Sequence, residues 1–124
     1  MNGNSFVVDT NIFIYLINGD KLISYYLENK ICYISFITEI ELYSFQKLAD
    51  EEEKTINKLL SNCIIIDIND KIKKTAIQSR KNHGIKIPDA IICATSIYLD
   101  IPLFTSDTQF KKVNDINAVF YSKA

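Results

Sequence analysis

Four carboxylates of this 124-residue chain, Asp9, Glu41, Asp89 and Asp107, each border an apolar segment. Asp9 directly follows Phe6-Val7-Val8, and Asp107 comes two residues after Leu103-Phe104-Thr105. Counting ~100° per residue from Ile37, Glu41 falls at about 40°, between Leu48 at about 20° and Phe45 at about 80°. That sets Glu41 inside an apolar stripe, where an ionised carboxylate is costly unless paired or metal-bound. Glu39 falls at about 200°, on the opposite, solvated face. Asp89 opens a stretch that is apolar nearly all round, as a buried helix would be.

Each acid also has a plain structural use. Asp9, Asp89 and Asp107 can cap helices, and Glu41 can pair with a lysine. Gathered in one place, however, four acids repel one another unless a divalent cation shares them. Oxygen donors without histidine favour Mg²⁺ or Mn²⁺ over Zn²⁺. The single histidine, His83, sits on a charged helix end beside Gly84 and is not expected to be catalytic. No G-x-S-x-G elbow, P-loop or G-x-G-x-x-G is present.

Whether the acids meet depends on the elements that carry them. Short β-rich runs at Phe6–Val8, Cys32–Ser35, Cys63–Ile66, Leu103–Thr105 and Val119–Tyr121 alternate with helical stretches. The helices are expected at Asn11–Asn18, Lys21–Glu28, Thr38–Leu48, Thr55–Leu60 after the acidic run Asp50–Glu53, Asp70–Asn82, and Pro88–Leu99. Strands separated by helices predict right-handed crossovers and a parallel sheet covered on both faces. Ligands of such sheets bind outside the carboxyl ends of the strands, which is where Asp9 and Asp107 project.

Composition agrees with one globular domain spanning 1–124: 48% of residues are hydrophobic and 23% charged, which excludes a disordered chain. The net charge of −1 means that nucleic-acid binding must rest on a local patch. Such a patch exists in the sequence. Asn69–Lys86 carries six basic residues and one acid, a net of +5, whereas Glu39–Glu53 carries six acids and one lysine, a net of −5. The basic stretch leads into Asp89, so Arg80, Lys81 and Lys86 either guide nucleic-acid phosphates or form a solvated helix face. Cys32, Cys63 and Cys93 form no CxxC pair and suggest free thiols in a reducing, cytoplasmic compartment. The longest uncharged apolar stretch, Ala90–Leu99, is ten residues, against about eighteen for a spanning helix. The opening MNGNSFVVD lacks the basic region of a signal peptide.

Val8-Asp9-Thr10-Asn11 resembles the D-[ST]-N that opens PIN-domain nucleases. Ile40-Glu41-Leu42 resembles their internal E-L, Pro88-Asp89-Ala90 their central D-A, and Thr105-Ser106-Asp107 with Phe110 their T-x-D-x-x-F. The motifs keep the family's order over nearly the whole chain, and the length is similar to that of VapC-type toxins of bacterial toxin–antitoxin pairs. The resemblance implies a three-layer α/β/α sandwich with a five-stranded parallel sheet and Mg²⁺- or Mn²⁺-dependent endoribonuclease activity, leaving 5′-phosphate and 3′-hydroxyl ends. It implies that Asp9, Asp89 and Asp107 hold a metal and that Glu41 holds a second metal or positions water. Thr10, Asn11 and Thr105 would orient the carboxylates or contact phosphate. It also implies a cognate antitoxin, bound to apolar residues of the first helices (Phe13, Ile14, Leu16, Ile17, Tyr25, Tyr26) and covering the acidic site, in a homodimer or toxin–antitoxin hetero-oligomer.

Other readings remain open at this level. An RNA-processing PIN nuclease without an antitoxin, or a catalytically silent PIN-like module, would carry the same motifs. A receiver domain would use Asp67 after Ile64-Ile65-Ile66, but paired acids after the first strand are missing. A haloacid-dehalogenase-like phosphatase needs D-x-D, where this chain has Asn11.

Overall fold

The computed structural model of the chain describes residues 4–44 and 49–122. Five strands run in parallel: β1 (Ser5–Val8), β2 (Ile31–Ser35), β3 (Cys63–Ile66), β4 (Leu103–Thr105) and β5 (Ala118–Phe120). Their order in the sheet is β3-β2-β1-β4-β5, so the chain builds outward from β1 in one direction and then returns to its other side. The helices are α1 (Thr10–Ile17), α2 (Lys21–Leu27), α3 (Phe36–Tyr43), α4 (Asp50–Ser61), α5 (Asp70–His83) and α6 (Ile87–Leu99). A 3₁₀ turn at Thr108–Lys112 joins β4 to β5.

Strand alternation divides the buried side chains between two cores. Val7 and Leu103 face Ile72, Ala76, Ile92 and Phe110 on one side of the sheet. Their neighbours Val8 and Phe104 face Ile12, Phe13, Ile23, Leu42, Ile56 and Leu60 on the other. Helices cover both faces, giving the expected three layers.

Local chemistry sets most helix ends. Asp20 caps α2 by accepting from the Leu22 and Ile23 N–H groups at 3.0 and 3.1 Å. Asn69 caps α5 through the Ile72 N–H at 2.8 Å, and Gly84 ends it with φ of 65°. Pro88 lies in the first turn of α6, where its missing N–H costs no hydrogen bond. The acidic run Asp50–Glu53 is the first turn of α4 rather than a segment before it. Negative charge there complements the positive end of the helix dipole.

Two further expectations change. Glu41 is exposed, and the buried residues of α3 are Thr38 and Leu42. The stripe that set its phase relied on Phe45 and Leu48, which lie outside the described residues, as does the end of the helix expected at Leu48. Asp67 follows β3 at the sheet edge and is exposed, two strands away from β1, which removes the basis for a receiver-like site.

Candidate active site

The sheet reverses its building direction between β1 and β4, and the carboxyl ends of these two strands bracket the gap where open α/β sheets hold their ligands. Asp9 leaves the end of β1, its N–H still donating to the Phe104 carbonyl at 2.9 Å. Asp107 follows the end of β4 and caps the 3₁₀ turn by accepting from the Gln109 N–H at 2.9 Å. Asp89 enters from the first turn of α6, whose N-cap is Lys86. Glu41 comes from the last turn of α3. All four line one open cleft of about 510 Å³, together with Thr10, Asn11, Ile14 and Ser44.

Hydrogen bonds fix the acids from below. Asp9 is 5% exposed. One of its oxygens accepts from the Thr10 N–H at 2.8 Å. The other accepts the Thr105 hydroxyl at 2.7 Å and the Asn11 side-chain amide at 3.2 Å. Thr105 in turn accepts from the Asp107 N–H at 3.0 Å. The Asn11 carbonyl oxygen accepts from the Ser106 N–H at 3.2 Å, clamping α1 to the loop after β4. Thr10 donates its hydroxyl to Glu41 at 2.6 Å and lies 3.1 Å from the Thr38 hydroxyl, which can donate to it.

Burial pushes the Asp9 carboxyl up to about 6; the Thr105 and Thr10 hydrogen bonds work against that rise, and the charges of Asp89 and Glu41 add to it. Burial also raises Asp89, with Asp107 and Glu41 reinforcing the shift and Lys86 opposing it. The acids therefore feel one another across the cleft.

Thr10, Asn11 and Thr105 hold carboxylates, and Lys86 stands near enough to Asp89 to stabilise its charge. Arg80 and Lys81 do not line the cleft. Arg80 donates its Nε to the Ile85 carbonyl at 3.1 Å, bracing the turn between α5 and α6. His83 pairs with Asp115 at 2.9 Å and lines no part of the cleft. Phe13 is 2% exposed and belongs to the core, so it cannot form a docking surface; Ile14, Leu16 and Ile17 are half-buried. Sequence reasoning passed over Thr38. Its position three residues before Glu41, and thus on the same helix face, was the available signal.

The donor set suits a hard divalent cation: carboxylates, a side-chain amide and hydroxyls, with no sulfur or imidazole in the cleft. Among the described residues, no three acidic, histidine or cysteine side chains are drawn together as a ready-made ligand group. The fit thus lies in the chemistry of the donors and their mutual repulsion, not in a closed coordination shell.

The family description of the PIN domain matches residues 6–116. The chain belongs to the PIN domain family. Solved structures of similar shape include a toxin–antitoxin complex from Klebsiella pneumoniae, at 30% identity and a TM-score of 0.79, covering 92% of this chain and 95% of that one. VapBC2 from Rickettsia felis, bound to a promoter DNA fragment, shares 22% identity at a TM-score of 0.83, covering 95% and 99%. VapBC-1 from nontypeable Haemophilus influenzae shares 24% at 0.72, covering 94% and 97%. No curated protein matches the chain in sequence. The PIN match embraces all four acids of the cleft.

Proposed function

We propose that this PIN domain is a Mg²⁺- or Mn²⁺-dependent endoribonuclease, the toxin of a toxin–antitoxin pair. The observation that carries the reading is that Asp9, Glu41, Asp89 and Asp107, from four separate elements, line one cleft at the switch point of the sheet. Asp9, Asp89 and Asp107 would hold one divalent ion; Glu41 would hold a second or position the attacking water. Such an ion, when bound, lowers the pKa of water and stabilises negative charge on phosphoryl oxygens.

The remaining work falls to the chain itself. Thr105 and the Thr10 N–H keep Asp9 oriented and offset the effect of burial, so that it is ionised above about pH 6. Thr10 aims Glu41 from the rim, where solvent reaches it. Water attacks phosphorus in line and the 3′-oxygen departs, leaving a 5′-phosphate and a 3′-hydroxyl. Lys86 supplies positive charge beside the cleft and would meet RNA phosphates there, whereas Arg80, held to the Ile85 carbonyl, and Lys81 lie outside the cleft.

The antitoxin assignment draws support from the Klebsiella complex, given its identity and coverage. Without the buried Phe13, the apolar residues available to an antitoxin would include exposed Tyr25 and Tyr26 and, beside them on α2, Leu22, with Tyr25 70% exposed. No helix among the described residues is long and apolar enough to cross a membrane.

Cleavage of single-stranded or loop RNA by purified protein tests the reading. Mg²⁺ or Mn²⁺ should support it and EDTA should stop it. Glu41→Gln should lower the rate by orders of magnitude, and Glu39→Gln, whose side chain is outside the cleft, should be nearly silent. Equal rates for both variants would remove Glu41 from the site. Binding of the product of an adjoining small reading frame would separate a toxin from an RNA-processing nuclease that has no antitoxin.

A further inference from the structure

Cys32 and Cys63 are far apart in sequence and take no part in the cleft, yet the sheet sets them side by side. They are paired positions of neighbouring parallel strands: Cys32 of β2 stands in register with Cys63 of β3. Both side chains point to the same face of the sheet and pack against the same core. Adjacent strands lie about 4.8 Å apart, inside the Cα separation of about 4.4–6.8 Å that a disulfide spans. Each residue is half-buried, so a small reagent can reach the pair. Cys93, by contrast, is buried in the opposite core.

We propose that Cys32 and Cys63 form a dithiol that closes reversibly into a disulfide, fastening the edge strand β3 to β2. The oxidant is a small-molecule disulfide. The Cys32 thiolate attacks one of its sulfurs and releases one small thiol, giving a mixed disulfide at Cys32. Cys63 then loses its proton and attacks the Cys32 sulfur, releasing the second small thiol; two electrons pass from the protein to the reagent.

Local chemistry favours Cys32 as the first nucleophile. The Cys63 thiol can donate to the Cys32 sulfur, which lowers the pKa of Cys32 against the opposing effect of burial. In the neutral pair, the Cys63 thiol instead lies 3.4 Å from the Leu59 carbonyl and can donate there. Closure would act on the sheet edge, because among the described residues β3 has β2 as its single strand neighbour. The same β2 ends at Ser35, whose hydroxyl caps α3, the helix that carries Glu41.

The test treats folded full-length protein with oxidised glutathione, then maps peptides by mass and counts free thiols. The expected product is a monomer 2 Da lighter (two hydrogens removed), with Cys32 joined to Cys63 and Cys93 still free. Dithiothreitol should restore both thiols. Cys63→Ser cannot close the bond and should hold glutathione on Cys32 as a stable adduct. A folded wild-type protein that gives separate adducts on the two cysteines, cross-links only between chains, or does not react would overturn the proposal. Circular dichroism of wild type and variant before treatment establishes that each is folded.

Discussion

Thr105 donates its hydroxyl to Asp9 at 2.7 Å, across 96 positions of sequence and within the buried part of the site. The same oxygen accepts the Asp107 N–H, so one threonine couples two of the four acids. Its hydroxyl stabilises the ionised form of Asp9 against the effect of burial. Thr105→Val keeps the shape and deletes that support. Asp9 should then titrate above about 6, and the acidic limb of the RNA-cleavage profile should move to higher pH. Thr105→Ser should return the limb toward that of wild type. A Thr105→Val profile that falls in height without moving along the pH axis would assign Thr105 to folding alone.

Asp9 also makes the metal-free protein sensitive to pH. A carboxyl raised from 3.8 to about 6 binds its proton more tightly in the folded chain than in the unfolded one. Stability should therefore fall as pH rises from about 4 through about 6 and then level off, by up to ~3 kcal/mol from this group. In EDTA, Asp9→Asn should flatten that decline and melt higher than wild type at pH 7.5, with the advantage shrinking near pH 4. Thermal melts across this range check it. A constant difference at every pH would mean that Asp9 carries no ionisation cost.

Divalent cations should reverse that cost. An ion that binds only the folded chain adds about 2.7 kcal/mol at a hundredfold excess over Kd. For a domain of this size that corresponds to a rise in Tm on the order of 10 °C. Asp107→Asn keeps an oxygen to cap the 3₁₀ turn but removes a charge that raises Asp89. It should melt close to or above wild type in EDTA and gain less from Mn²⁺. Identical Mn²⁺ gains in the two proteins would exclude Asp107 as a ligand.

Lys86 should matter more to RNA than its neighbours on α5. Lys86→Ala removes the cation that holds Asp89 down. RNA binding should weaken across sequences, and the salt slope should fall by about 1, as for one phosphate contact. Arg80→Ala should act mainly on stability, because Arg80 braces the Ile85 carbonyl. Binding isotherms at several salt concentrations, paired with melts, distinguish the two.

The acids were legible in the sequence because each borders an element with a clear period or propensity. Phe6-Val7-Val8 and Leu103-Phe104-Thr105 are β-rich runs that end just before Asp9 and Asp107, and the strands end there. Glu41 lines the cleft, but the sequence sets it inside an apolar stripe whose anchors, Phe45 and Leu48, lie outside the described residues. Burial of the helix was inferred from Phe45 and Leu48, whereas the described helix buries Thr38 and Leu42 and leaves Glu41 at an open rim. Phe13 was misread as surface for a related reason. A helix of eight residues that is apolar on most sides gives no clear moment to separate its core face from its outer one. The Thr38–Thr10–Glu41 contacts could not be read from spacing, because they join side chains from two helices whose relative placement only the sheet determines.

The central position of β1 has a consequence for the order in which the protein is made. Of the described strands β1 is made before the others and pairs with β2 on one side, but its other edge must wait for β4, nearly a hundred residues later. Until then Asp9 lacks Thr105 beneath it and Asp107 does not exist. A nascent chain stalled before β4 carries an unpaired central edge and no complete set of acids. The complete set of acids therefore arrives late and all at once, and a truncated product would aggregate through that open edge.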